Sequence, residues 1–168
     1  MQYTYTELAA YLLLYSFIGW ALEVAFFAVK ERRFCNRGFF SLPFCPEYGI
    51  MMDILILLLP EQGTKWLLQF LTTWMVVSVV EYFSGGIAAK IWKKHLWNYE
   101  DVTLFGGKKK SVLLSLIKAA VVMTAVLLLH PPVFILFSMI PTIVLRIIDI
   151  VGFGLMAADL VSILIAVR

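Results

Sequence analysis

From Leu8 to Val29 the chain carries a single charged residue, Glu23. A run of about 20 mostly apolar residues is what a helix needs to cross the hydrocarbon of a bilayer, so this stretch constrains the fold more than any other feature. It lacks the basic leader and the short apolar core of a secretion signal, and is expected to stay in the protein as its first membrane helix. Four more apolar segments follow. Trp66 to about Ile91 and Ser111 to Leu129, which carries Lys118, are long enough to span. Tyr48 to Leu59 is too short on its own. It reaches spanning length only if Phe39 to Pro46 enters the bilayer as irregular backbone, with Pro43 and Pro46 preventing helix there. His130-Pro131-Pro132 is expected to break the chain, leaving Val133 to Leu145 as a short re-entrant or interfacial helix before a last span from Ile150 to Val167 that carries Asp159. The expected fold is therefore all-α: a polytopic membrane bundle of about five transmembrane helices, forming a single transmembrane domain over residues 1–168.

Composition agrees. Hydrophobic residues make up 62% of the chain and charged residues 15%, against about 45–50% and about 25% in ordinary globular domains. The mean hydropathy is +0.91. Such a chain leaves no room for a nucleotide-binding or catalytic domain beside the bundle, so any energy from ATP must come from a partner. The net charge of +3 is small, and its basic residues flank apolar segments, which suits lipid headgroups and argues against nucleic acid. Cys35 and Cys45 are too few for a disulfide scaffold and lack the companion histidines of a zinc site, so free thiols and no metal are expected. No phosphate-binding loop, nucleophile elbow or histidine pair occurs, and no cofactor is expected.

Charge in the loops sets an expected orientation, because Lys and Arg collect on the cytoplasmic side. Lys30, Arg32, Arg33 and Arg37 follow the first helix, and Lys90, Lys93, Lys94 and Lys108 to Lys110 follow the third. The turn after the second segment holds only Lys65, and the region after the fourth has His130 but no Lys or Arg nearby. Five alternating segments then place the N-terminus outside and Arg168 inside.

An ionisable group near the bilayer centre costs about 2.5–3.5 kcal/mol on insertion scales, so each needs a partner, water or a purpose. Here these are Glu23, Asp53, Glu81, Asp149, Asp159, Lys118 and Arg146, with acids in excess. Ser16, Gly19 and Glu23 fall three and four apart, a small polar stripe suited to a protein neighbour. Ser78, Glu81, Gly85 and Ala88 repeat the device, and Gly152, Met156 and Asp159 share a face of the last helix. Two readings fit Glu23 and Glu81: they converge with Asp159 on an interior site, or they fix helix register through hydrogen bonds. Arg146 and Asp149, three apart, are expected to pair, and Lys118 to snorkel to the cytoplasmic face. The segment Asn36-Arg37-Gly38 to Cys45-Pro46-Glu47-Tyr48-Gly49 concentrates turn formers and polar groups where the chain re-enters the membrane. A gate, a headgroup-binding nest and a plain structured turn all remain open for it.

Gly19-Trp20 with Glu23, Asn36-Arg37-Gly38-Phe39, Pro43, Cys45-Pro46-Glu47-Tyr48-Gly49, Glu81-Tyr82 and the aromatic run Trp92 to Tyr99 together resemble the CmpB-like family described as putative ABC-transporter type IV. The resemblance covers nearly the whole chain. It departs at Trp97-Asn98-Tyr99, where the family has Trp-Asp-Tyr. It implies a permease-like protein of the bacterial inner membrane, and adds Trp20, Asn36, Arg37, Tyr48 and Tyr82 to Glu23, Glu81 and Asp159 as candidate substrate-binding residues. The leading expectation is a small transport protein, not an enzyme, with an acidic intramembrane site for a cation, a proton or a cationic group. The alternative is a non-transporting module that binds lipid headgroups or recruits a partner through Arg32, Arg33, Arg37 and Lys108 to Lys110. Expected partners are membrane lipids, a second copy in a homo-dimer, and a partner membrane protein or ATPase.

Overall fold

The computed structural model describes residues 3–31, 41–59, 65–92 and 109–166, and all its regular structure there is helical. The helices are α1 (Tyr5–Glu31), α2 (Pro46–Leu58), α3 (Trp66–Trp92), α4 (Lys109–Thr124), α5 (His130–Ser138) and α6 (Thr142–Ala166), with a π-helical turn, Ala125–Leu129, joining α4 to α5. Four apolar stretches are long enough to cross a membrane: Tyr5–Ala25, Trp66–Ile87, Ser115–Ser138 and Thr142–Ile165. Each turns large apolar side chains outward, among them Leu22, Met75, Val121 and Ile150. A surface apolar on this scale suits lipid, not water. The fifth apolar segment is α2, whose 13 residues give a length of about 20 Å, short of the roughly 30 Å hydrocarbon core.

Local chemistry explains the helix ends. Thr4 caps α1 in a reciprocal box: its backbone N–H donates to Glu7 Oε2 at 2.8 Å and the Glu7 N–H donates to Thr4 Oγ1 at 3.3 Å, satisfying two donors that the first turn leaves open. Tyr3, just before α1, lies edge-on to Tyr11, with ring centroids 6.1 Å apart. Burial, and secondarily the Glu7 carboxylate, push its hydroxyl pKa up. Pro46 begins α2, where a missing N–H costs nothing.

The expected break at His130-Pro131-Pro132 lies elsewhere. Proline cannot donate to the ladder of a continuing helix. The chain meets this by widening one turn: the His130 N–H bonds back five residues to the Ala125 carbonyl. Both prolines then fall in the opening turn of α5, just past the widened turn, which takes up the distortion that proline gives a continuing helix. The short helix before the last one is thus present as α5, but it continues α4, and the two together make the span Ser115–Ser138. The chain turns at Met139 to Pro141, where Met139 and Ile140 bond three residues back, to Leu136 and Phe137. Pro141 then offers its carbonyl to Val144 and Leu145 as α6 begins. The last helix therefore starts about two turns earlier than expected, and it takes in Arg146 and Asp149.

The chain forms two compact units, Met1–Asp53 with Leu136–Arg168, and Ile54–Ile135. In the first, α1 packs along α6. Leu13 meets Met156 there, with Leu42, Phe44, Leu160 and Ile163 closing around them. In the second, α3 packs along α4, pinned by the Trp74 indole N–H donating to Ser115 Oγ at 2.6 Å.

Candidate functional site

The polar stripe of α1 meets the start of α2. Gly19 takes the Tyr48 ring so closely that a β-carbon at position 19 would overlap it. One turn further along α1, the Tyr48 hydroxyl donates to Glu23 Oε1 at 2.8 Å. Gly49 lies against the Leu12 carbonyl and Ser16 Oγ, again with no space for a β-carbon. Two glycines, one on each helix, thus allow a close approach of the kind that small residues give in membranes.

Residues 41–45, which precede α2, are not helical, yet they lie beside the middle of the α1 apolar stretch. Non-helical backbone at that depth must find partners inside the protein. Three bonds among the described residues contribute to this. The Cys45 N–H donates to the Ser16 carbonyl at 3.0 Å, the Phe44 N–H to the Leu42 carbonyl at 2.8 Å, and the Leu42 N–H to Asp159 Oδ2 at 3.1 Å. Cys45 is buried. Asp159 sits on α6, and Ser162 Oγ closes back onto its carbonyl at 2.7 Å. Glu23 and Asp159 therefore do related work: each carboxylate accepts a hydrogen bond from the chain between Leu42 and Tyr48.

The other candidates divide. Trp20 is half-buried on α1, its ring 5.9 Å from Phe17. Asn36 and Arg37 lie outside the described residues, as do Cys35 and the basic residues Arg32 and Arg33. Glu81 belongs to the second unit, where Lys118 of α4 pairs with its carboxylate. Lys118 thus reaches across to α3 instead of snorkelling, and its charge offsets that of Glu81. Tyr82 is 79% exposed and rests edge-on against Phe83, its face to the surroundings. Ser78 is exposed, its hydroxyl bonded to the Trp74 carbonyl of its own helix, so the stripe on α3 does not repeat the role of the one on α1. The expected Arg146–Asp149 pair does not form: Arg146 is exposed, and Asp149 Oδ1 is buried with no hydrogen-bond partner among the described residues.

Two positions that periodicity alone did not single out enter here. Leu42 matters through its backbone, which no side-chain pattern reveals. Asp53 is on α2, and its Oδ1 is buried without a hydrogen-bond partner among the described residues.

The sequence profile of the family described as putative ABC-transporter type IV matches residues 10–164. The chain belongs to that family. The match takes in both units, and with them the Glu23–Tyr48 and Leu42–Asp159 contacts. Comparison with curated proteins and with solved structures returned no match. Family and helices together make this a membrane protein of transporter type.

Proposed function

We propose that the chain is a small permease-like transport protein of the bacterial inner membrane, in which Glu23 and Asp159 bind a cation, a proton or a cationic group. One observation carries this reading: both carboxylates hold the same irregular segment, Glu23 through the Tyr48 hydroxyl and Asp159 through the Leu42 N–H. A carboxylate oxygen that takes a proton or a cation is a weaker acceptor for those donors. Occupancy of the site is thereby linked to the hold on residues 41–48, which makes that segment the gate of the path. Glu81, neutralised by Lys118, serves the α3–α4 contact and not the cargo.

The chain acts as a carrier and not as an enzyme. Its surroundings are lipid, and a partner ATPase, which the family's description suggests, or a second copy completes the working unit. Purified chain in liposomes tests the reading with alkali cations, choline and a pH gradient as probes. The wild type dissipates at least one of these gradients faster than empty liposomes. Glu23→Gln and Asp159→Asn slow that flux at least tenfold while keeping wild-type helical content. A wild type no faster than empty liposomes, or variants as fast as the wild type, would overturn it. The first of those results, with anionic vesicles still bound, favours the lipid-binding module built on Arg32, Arg33, Arg37 and Lys108 to Lys110.

A further inference from the structure

The two oxygens of Asp159 are held on different terms. Oδ2 accepts the Leu42 N–H at 3.1 Å. Oδ1 has only the Ser162 hydroxyl, 3.5 Å away, and that hydroxyl makes its short bond, 2.7 Å, to the Asp159 carbonyl instead. The carboxylate forms no ion pair among the described residues. An intramembrane carboxylate with one good donor and no counter-charge calls for a cation or a proton. Its neighbours decide which.

Asp159 reaches Leu42 at the edge of an apolar cluster, in which Leu42, Phe44, Leu160 and Ile163 close on Leu13 and Met156. None of these neighbours ionises or offers a side-chain oxygen. A hard metal ion stripped of its water takes about six oxygen ligands. The described residues hold no group of three or more acidic, histidine or cysteine side chains that could gather round one. The Leu42 N–H turns the positive end of its dipole toward the carboxylate, so it repels a cation and cannot ligate one. An ammonium group brings donors of its own and needs several acceptors, which the same apolar neighbours do not supply. A proton needs one oxygen and no shell. On Oδ1 it removes the charge, and Oδ2 remains as the carbonyl oxygen of a neutral acid, a weaker acceptor for Leu42.

We infer that the ion this site takes is the proton, and that Asp159 Oδ1 is where it binds. The inference rests on the reading of Glu23 and Asp159 as the transport site and names its cargo. Ionised Asp159 holds the segment at Leu42, and protonated Asp159 lets it go, so the hold is present at high pH and lost as pH falls. The bonds from Cys45 to Ser16 and from Phe44 to Leu42 join backbone groups only, and pH leaves them alone. Glu23 acts on the other end of the same segment through the Tyr48 hydroxyl. Glu47 and Cys45 are the further ionisable groups close enough to act on that hydroxyl.

The test uses the full chain in liposomes of neutral phosphatidylcholine. Infrared difference spectra between acidic and alkaline buffer report the C=O stretch of protonated carboxyl groups. On acidification the wild type gains a band that Asp159→Asn lacks and Asp159→Glu moves. Sodium chloride or choline chloride in place of N-methylglucamine chloride leaves that band unchanged. At one fixed pH, in a chain with Cys35 replaced by alanine, Asp159→Asn raises the labelling rate of Cys45 by N-ethylmaleimide roughly tenfold, the factor equivalent to about 1.4 kcal/mol. A full set of bands in Asp159→Asn overturns the inference. So does a band that sodium or choline displaces, or Cys45 labelling unchanged in Asp159→Asn. If Asp159→Asn does not fold, the shift of the band in Asp159→Glu decides. Flux of sodium or choline that Asp159→Asn slows keeps the transport reading and overturns the proton as cargo. No flux of any probe, with the Asp159 band present, removes the transport reading and leaves proton binding at Asp159 standing.

Discussion

At the scale of single residues, glycines separate into those that make contacts and those that do not. Gly19 and Gly49 sit where a β-carbon would strike the Tyr48 ring or the α1 backbone, whereas Gly86 and Gly154 face open space. Gly49→Ala forces α2 away from the Leu12 carbonyl, and overpacking of this kind costs about 1–3 kcal/mol. Gly154→Ala should be neutral or slightly stabilising, since glycine inside a helix is worse than alanine by roughly 0.5–1 kcal/mol. Thermal unfolding in phosphatidylcholine nanodiscs compares them, and equal midpoints for the two variants would remove the α1–α2 contact. Tyr48→Phe takes the hydroxyl from Glu23, and a hydrogen bond to a charged group is worth about 1.5–3 kcal/mol. A double-mutant cycle with Glu23→Gln should therefore show coupling, and strict additivity would argue against the bond. Much of this was legible in the sequence. Ser16, Gly19 and Glu23 at helical spacing announce a close neighbour, but a small residue reports that something approaches and not what. The pairing of Glu81 with Lys118 was hidden for the same reason: it depends on the register of α3 against α4, which neither helix specifies alone.

At the scale of elements, the segment from α4 to α6 shows where reading by residue type goes astray. Two consecutive prolines read as a break, but a single widened turn shifts them into the start of α5, and the helical rod continues. The real turn is concealed because the apolar run from Val133 to Leu145 passes straight through Pro141. The two placements expose different residues. In a chain with Cys35 and Cys45 replaced by alanine, Ile140→Cys should react quickly with a membrane-impermeant maleimide, and Val133→Cys at least tenfold more slowly. Fast labelling at position 133 with protection at 140 would restore the break at His130. The second segment behaves as its composition suggests. Pro43 and Pro46 keep residues 41–45 out of helix, and the cost of irregular backbone inside the bilayer is met by Ser16 and Asp159.

At the scale of the whole molecule, everything about orientation turns on α2. Its roughly 20 Å cannot cross a 30 Å hydrocarbon layer alone, but α2 begins beside the middle of α1, so the segment before it has already covered part of that depth. If residues 41–59 together return the chain to the outer face, α3 starts outside and its C-terminal end, which carries Lys90, lies inside. Lys109 and Lys110 then open α4 on the inner face, the turn at Met139 to Pro141 is outside, and Arg168 is inside. All the basic clusters fall on one side, as insertion requires. If α2 turned back instead, the lysines around α3 and α4 would face outward while Arg32, Arg33 and Arg37 faced inward. Each misplaced cluster would work against insertion, and no charge elsewhere compensates. The expected outcome is an N-terminal tag open to protease in intact spheroplasts and a C-terminal tag protected until the membrane is permeabilised. Two tags on the same side would mean that α2 does not complete a crossing. Glu23 and Asp159 would then hold a loop dipping from the inner face, and a gate reached from one side only could not pass cargo through the membrane.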